Sequence, residues 1–339
     1  ETTPSVSNQT EKPFGVRNTP ILFYVNDSST NGDVYCTAVG GAAKSGLSPA
    51  APKLMLQQIL DAYDLEPGDV VYMDTGTYNT TNDTVITQFD AGRETNQPRV
   101  VIQGSTNYAA GGTVINRQGG DSAVVISQAA RVELRNLTVR NASVGVRLMQ
   151  TRGCLLEWVF AESCVRGFDL DYNEDTQFRR CVARSATGAG LYHVASSNTV
   201  WQNGVLWSNR DAVVMVSSTN LLSQGRPNTL IFSNSVITVY TTNSMAFRLG
   251  AGTIRSDYNC IYAGNGAKVS SGRASSVARW TYDTGNDRFS LSHEPAFANP
   301  GGGDFHPKSR AGRFTFAGTV VTDAVTSVLV DTGDRTADF

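Results

Sequence analysis

Four side chains in the middle of the chain have the types and spacing for proton-transfer chemistry: Asp169, Asp171, Tyr192 and His193. Arg147 and Arg248 flank them. Eliminating or epimerising a uronic acid takes three groups: a cation on the carboxylate, a base for the C5 proton and an acid for the leaving oxygen. Arginine, histidine and tyrosine supply that set. A glycosidase needs two carboxyl groups instead, about 5.5 Å apart for retention or roughly 6.5–9.5 Å for inversion. On a strand, Asp169 and Asp171 would point to one side about 6.6 Å apart, which permits that chemistry. Asp169, Asp171, Asn173 and Asp175 also place oxygen ligands at every second position, as a calcium loop begins. The glycine at the sixth position and the distal glutamate of such a loop are missing, so calcium and a solvated acidic turn both remain open. Asn26, Asp27, Asn31 and Asp33 form a second oxygen-rich loop.

Composition narrows the setting. With 28 basic against 30 acidic residues the net charge is −2, which argues against a broadly basic nucleic-acid binder. Charged residues make up 17%, below the usual ~25%, so Ser, Thr, Asn and Gly carry the surface. No apolar run approaches the roughly 20 residues that span a bilayer. The five cysteines show neither a Cys-x-x-Cys pair nor zinc spacing and read as small buried hydrophobes. His293 and His306 have no ligating neighbour at short spacing.

The elements that must position these residues recur with a short period. Val132–Asn141, Cys154–Ser163, Thr176–Ser185 and Thr199–Ser208 begin 22, 22 and 23 residues apart, and Leu230–Thr238 follows after a loop. After each comes a shorter strand opened by a small residue, at Gly145, Gly167, Gly190, Ala212 and Ala246. A 22-residue unit is too short for a strand–helix repeat and fits one coil of three short strands. Period-two alternation turns Val146 and Leu148, Phe168 and Leu170, Val213 and Met215 inward. The same register puts His193 on an inward position, so a buried structural histidine competes with the catalytic reading. Asn136, Asn203, Asn234 and Asn259 recur at the turns, where stacked amides could satisfy buried backbone groups. Pro52–Tyr63 carries apolar residues at helical spacing, and residues 1–20 read as an extended arm or linker.

This pattern resembles the right-handed parallel β-helix of the pectin-lyase-like superfamily. Two local signatures carry the resemblance besides the repeat. One is the entry, Phe23-Tyr24-Val25-Asn26 through Pro52–Gln57 to Pro67-Gly68-Asp69-Val70. The other is the exit, Glu294-Pro295-Ala296-Phe297 to Gly303-Asp304-Phe305-His306 and Asp331-Thr332-Gly333-Asp334. The resemblance implies an all-β solenoid of ~22-residue coils over residues 21–339, with three strands per coil. A helix at 52–63 caps its first coil, and a segment at 290–339 closes it. It also implies a secreted or cell-surface setting. The superfamily hosts lyases, glycosidases, epimerases and adhesins, so fold alone does not choose an activity. Alginate epimerases of this fold use Asp, His and Tyr, but their Asp-Pro-His-Glu run is absent here.

Stacking then decides how the charges meet. Arg135, Glu157 and Arg179 form one outward column, Arg140, Glu162 and Arg184 a second, and Arg147 with Asp169 begins a third that continues through Tyr192 and Val214 to Arg248. Alternating signs suit cross-coil ion pairs better than a groove for an anionic polymer. Arg248 alone has no evident acidic partner. The expectation is therefore a structural, adhesive or filament-forming module associated with polysaccharide, or with other copies of itself through the arm. A uronate lyase, an epimerase or, more remotely, a glycosidase is the alternative.

Overall fold

The computed structural model describes residues 19–92, 96–217, 227–272 and 274–334. The chain winds as a right-handed parallel β-helix. One side is an eight-stranded parallel sheet, running from Lys268–Ser270 through Met245–Leu249, Asp211–Val216, Ala189–Val194, Arg166–Asp171, Val144–Met149 and Ser122–Ser127 to Thr84–Ile86. The other two sides are a fifteen-stranded sheet folded along its length. Three strands per coil are distinct where Arg166–Asp171 is followed by Gln177–Arg179 and Val182–Arg184. In the preceding coils the second and third merge into single bent strands, Val132–Arg140 and Leu155–Glu162.

The bend has a local cause. At one residue per coil φ becomes positive: Asn136 (53°), Trp158 (54°), Arg180 (53°), Asn203 (56°), Asn234 (49°) and Tyr258 (58°). A single left-handed residue turns the strand without breaking its pairing, and asparagine tolerates that conformation best among residues with a side chain. These asparagines therefore face outward at the corner and do not form the amide stack expected of them. The buried stack lies at other corners. Asn173 Oδ1 accepts from Thr151 N and Oγ1 (3.0 and 2.7 Å), and Asn173 N donates to Ser196 Oγ (3.0 Å). Asn209 accepts from Ala186 N (2.9 Å), and Asn259, alone of the four expected, accepts from Ser235 N (3.0 Å).

Inward residues form one continuous core. Phe168, Phe178, Trp201, Phe232 and Phe247 are fully buried and contact one another in series along the axis, with centroids 5.2–6.1 Å apart. Rings from the different sides of neighbouring coils meet in stacked and edge-to-face geometries that aromatic pairs prefer, and bury large areas. All five cysteines are buried and unpaired.

Both ends of the stack are plugged. Helix α1 (Leu56–Ala62) is shorter than the expected 52–63 and buries Leu56, Ile59 and Leu60. It packs against Thr84–Ile86 and Leu22–Val25, with Val71 in the same core. Helix α2 (Val277–Thr284) caps the far end and was not expected from the sequence. Its N-cap Ser276 accepts from Arg279 N, it ends at left-handed Gly285, and Trp280 stacks on Phe247 at 5.2 Å.

Only the start of the segment expected to close the solenoid does so, where Leu291 pairs with Cys260; the rest takes another course. It runs back along the outside of the third strands as two short antiparallel pairs, Phe297–Asn299 with Asp304–Pro307 and Arg313–Phe314 with Val320–Val321. Phe297, Phe305, Leu291 and Leu329 cover an outward apolar patch that includes Val205, Val236 and Cys260. Arg184 Nη1 donates to the carbonyls of Pro300 (3.1 Å) and Gly301, which ties the tail to the coils. The expected arm, residues 1–20, lies almost wholly outside the described residues.

Candidate functional site

The register places Arg147, Asp169, Tyr192, Val214 and Arg248 in one column on the outer face of the eight-stranded sheet. Met149, Asp171, Val194 and Val216 form the column beside it. Between them opens a hollow of about 550 Å³ lined by Arg147, Arg166, Asp169, Asp171, Tyr172 and Tyr192, among others. Five of the six predicted catalytic candidates thus point outward, and four of them (Arg147, Asp169, Asp171 and Tyr192) meet in this hollow.

Asp169 is its electrostatic centre. Its Oδ2 accepts from Arg166 Nη1 at 2.8 Å and lies 3.8 Å from Arg147 Nε. Arg147 also pairs with Asp121 at 3.2 Å. The Arg166 guanidinium lies 3.6 Å from the centroid of the Tyr192 ring, so one cation bridges carboxylate and aromatic face. Asp171 stands next to this cluster with its carboxyl pushed above the usual range, first by burial and then by the charge of Asp169, against which Arg147 acts weakly. Asp171 is therefore the carboxyl of the face whose charged form is least favoured.

Two predicted members are not part of it. His193 points into the core and is fully buried. Its Nδ1 meets Asn228 Oδ1 at 2.6 Å and its Nε2 meets Thr199 Oγ1 at 2.9 Å. Burial lowers its pKa to about 4, partly offset by the Asn228 hydrogen bond, so it stays neutral and structural near neutral pH. Arg248 is not unpaired. Its Nε and Nη2 grip both oxygens of buried Asp211 at 2.7 and 2.9 Å, an arrangement that raises the guanidinium pKa further. Val214 separates it from Tyr192 in the column.

The calcium candidates do not converge. Asp169 is taken by arginines, and the Asn173 amide is buried, donating to Leu148 O (3.0 Å) while its oxygen serves Thr151. Asp175 Oδ1 accepts from Asn198 (3.0 Å). In the earlier loop the Asn26 amide donates to Asp33 (2.6 Å) and to carbonyls, and Asp27 serves Ser29 N. Among the described residues no group of three or more His, Cys, Asp or Glu side chains could hold a metal ion.

The ion columns form largely as expected. Glu162 pairs with Arg140 (3.8 Å) and Arg184, and Glu157 with Arg135 (3.8 Å). On the next coil Glu157 pairs with Arg180 (3.0 Å) rather than Arg179, which turns to Gln177. Sequence reasoning missed Arg166, Tyr172 and Asp211. Arg166 stands three residues before Asp169, and Asp211 sits on the coil beside Arg248, so spacing held a signal for both. Tyr172 follows Asp171 at a positive-φ corner that only the fold reveals.

The family described as right handed beta helix region matches residues 70–226. The structure of pectate lyase Pel9A is similar at a TM-score of 0.50 and 11% identity, covering 94% of each chain. The GH136 lacto-N-biosidase from Eubacterium ramulus is similar at a TM-score of 0.45 and 11% identity, over 74% of this chain and 62% of that one. The alginate lyase from Paenibacillus sp. gives 0.38 and 11%, over 65% and 96%. No curated protein sequence matches.

Proposed function

We propose that this chain, which has the fold of the pectin-lyase-like right-handed β-helices, is a secreted or cell-surface module. It binds polysaccharide on the outer face of its eight-stranded sheet and does not turn it over. One observation carries the reading: the arginines of that face are already committed, Arg147 and Arg166 to Asp169 and Arg248 to Asp211. Removing a C5 proton from a uronate needs an uncommitted cation, or a metal, on its carboxylate. The buried, neutral His193 takes no part as base. What the face offers a glycan is hydrogen-bonding edges on three successive coils, from Arg147, from Asp171 with Tyr172, and from Tyr192. Among the described residues no helix is long and apolar enough to cross a membrane.

The test is a panel of pectate, alginate and glycosaminoglycans, read two ways. Retention in affinity gels should be seen, and should weaken in Asp171→Asn and Tyr192→Phe. Unsaturated-product absorbance should stay flat with or without calcium. Turnover abolished by Asp169→Asn or Tyr192→Phe would overturn the reading. A second reading, glycoside hydrolysis, is favoured by two outward carboxyls two residues apart on one strand, Asp169 ion-paired with Arg166 and Asp171 raised by burial and by the charge of Asp169. Reducing ends released from any of the polymers, and lost in Asp171→Asn, would establish it.

A further inference from the structure

A second groove lies on a different face, where the C-terminal tail meets the corner of the coils. It is a hollow of about 620 Å³, and its walls include Tyr108, Trp158, Phe160, Asn203, His306 and Phe316. A smaller hollow of about 320 Å³ continues it along the axis, sharing Asn203 and Asn234 and reaching Tyr258 and Phe289. The floor is the column of left-handed corner residues, Trp158, Arg180, Asn203 and Asn234, one per coil and so about 4.8 Å apart.

We infer that this corner groove is a second binding site, for a neutral linear glycan lying along the solenoid axis. The lining is aromatic planes and amides, with no carboxylate in the larger hollow. Trp158 is 42% exposed and Phe316 46% exposed, so an aromatic face is open to solvent on each wall of the groove. An indole face takes the CH side of a sugar ring, and amides between the planes take its hydroxyls. The Asn203 side chain makes no hydrogen bond among the described residues, so its donors and acceptor remain to be met. The basic side chains here already have partners: Arg180 pairs with Glu157 at 3.0 Å and lies 5.6 Å from the Trp158 ring, and His306 Nδ1 meets Asp304 Oδ1 at 2.5 Å. A lining of aromatic rings and amides without a carboxylate suits a neutral ligand. Trp158 also occupies a positive-φ position filled by asparagine at Asn136, Asn203 and Asn234. A bulky aromatic held there costs backbone energy that asparagine would avoid. The wall opposite is built by the tail, where Phe316 contacts both Tyr108 (5.9 Å) and His306 (4.9 Å).

The test uses the whole chain with hexasaccharides of cellulose, xylan, laminarin and chitin, by calorimetry and tryptophan fluorescence. At least one should bind and change the emission of the exposed indole. Trp158→Asn places at this corner the residue that three other coils carry there, Asn136 on the adjacent one included, so the fold is kept, and affinity should fall at least tenfold. Phe316→Ala, on the other wall, should lower it severalfold. Retention of polyuronate by the eight-stranded face should be untouched in both variants, which separates this site from that one. If no hexasaccharide binds at millimolar concentration, or Trp158→Asn binds as well as the parent, the inference is wrong.

Discussion

At the residue scale, His193 shows how one position along a strand separates chemistry from architecture. Tyr192 and His193 are adjacent, yet alternation sends the first to solvent and the second into the core. A folded pKa of about 4 against 6.5 makes a prediction with a definite sign. The unfolded chain takes up a proton that the folded chain refuses. The contribution is therefore fully present above pH 6.5 and lost as pH falls through the window from 6.5 to 4. The loss at the bottom of that window is roughly 3 kcal/mol. Following the His193 ring resonances against pH should give a midpoint near 4, and a midpoint between 6 and 7 would refute the buried, doubly hydrogen-bonded assignment. The inward position of His193 was legible from the sequence, because period two needs only its neighbours. The partner of Arg248 was overlooked although it lies on the adjacent coil, because Asp211 opens its strand three positions before the residue in register with Arg248, outside the column itself. The asparagines exchanged roles for a related reason. At a corner, a shift of one residue moves an amide from inside to outside, and composition alone does not fix that shift.

At the scale of elements, the coil register was readable because two periodicities agree, alternation within strands and about 22 residues between them. Helix α2 escaped because no repeat announces it, although Ser276 and Gly285 bracket it as an N-cap and a left-handed C-cap do. Its anchor is Trp280, buried on Phe247, with Nε1 donating to Asp287 Oδ2 at 2.8 Å. Asp287 in turn accepts from Asn259 (3.0 Å) and Ser290 (2.6 Å). Trp280→Ala should cost about 3–5 kcal/mol from lost packing, more if the stranded carboxylate is not rehydrated. Thermal unfolding is the measurement, and a melt unchanged from the parent would deny α2 its capping role. The ion columns contribute less. Glu157→Arg, set between Arg135 and Arg180, should cost on the order of 1 kcal/mol and recover partly in salt, as half-exposed pairs do.

For the whole molecule, the tail was the least legible part. It carries no repeat, and the outward patch it covers reads in sequence like any other set of strand residues. Phe305 holds it, edge-on to Phe297 (5.3 Å) and Trp207 (6.1 Å). Phe305→Asp should release the tail by removing about 3 kcal/mol or more of apolar contact. Limited proteolysis should then cut between residues 290 and 334 while the coils survive. An apolar dye should bind where Val205, Trp207 and Val236 are uncovered. Uniform resistance to protease would show that the tail is held by something other than this contact.

The plugged ends have a consequence for length. A parallel coil stack is a template: its terminal backbone groups could direct the next coil, and the next molecule, without limit. Here the first strand already has its outer edge engaged, with Tyr24 N donating to Gly46 O (2.8 Å) and Lys53 N to Tyr24 O (2.9 Å). At the far end Ile261 N donates to Leu291 O (2.8 Å) and Asp287 N to Ser256 O (2.6 Å). The described coils thus end on strands whose outer edges are already engaged, which disfavours end-to-end stacking of copies through these strands. Concentrated solutions should show discrete assemblies by light scattering, with no rods lengthening over time. Replacing Leu56 with Asp, which unseats α1, is the change expected to set axial growth free.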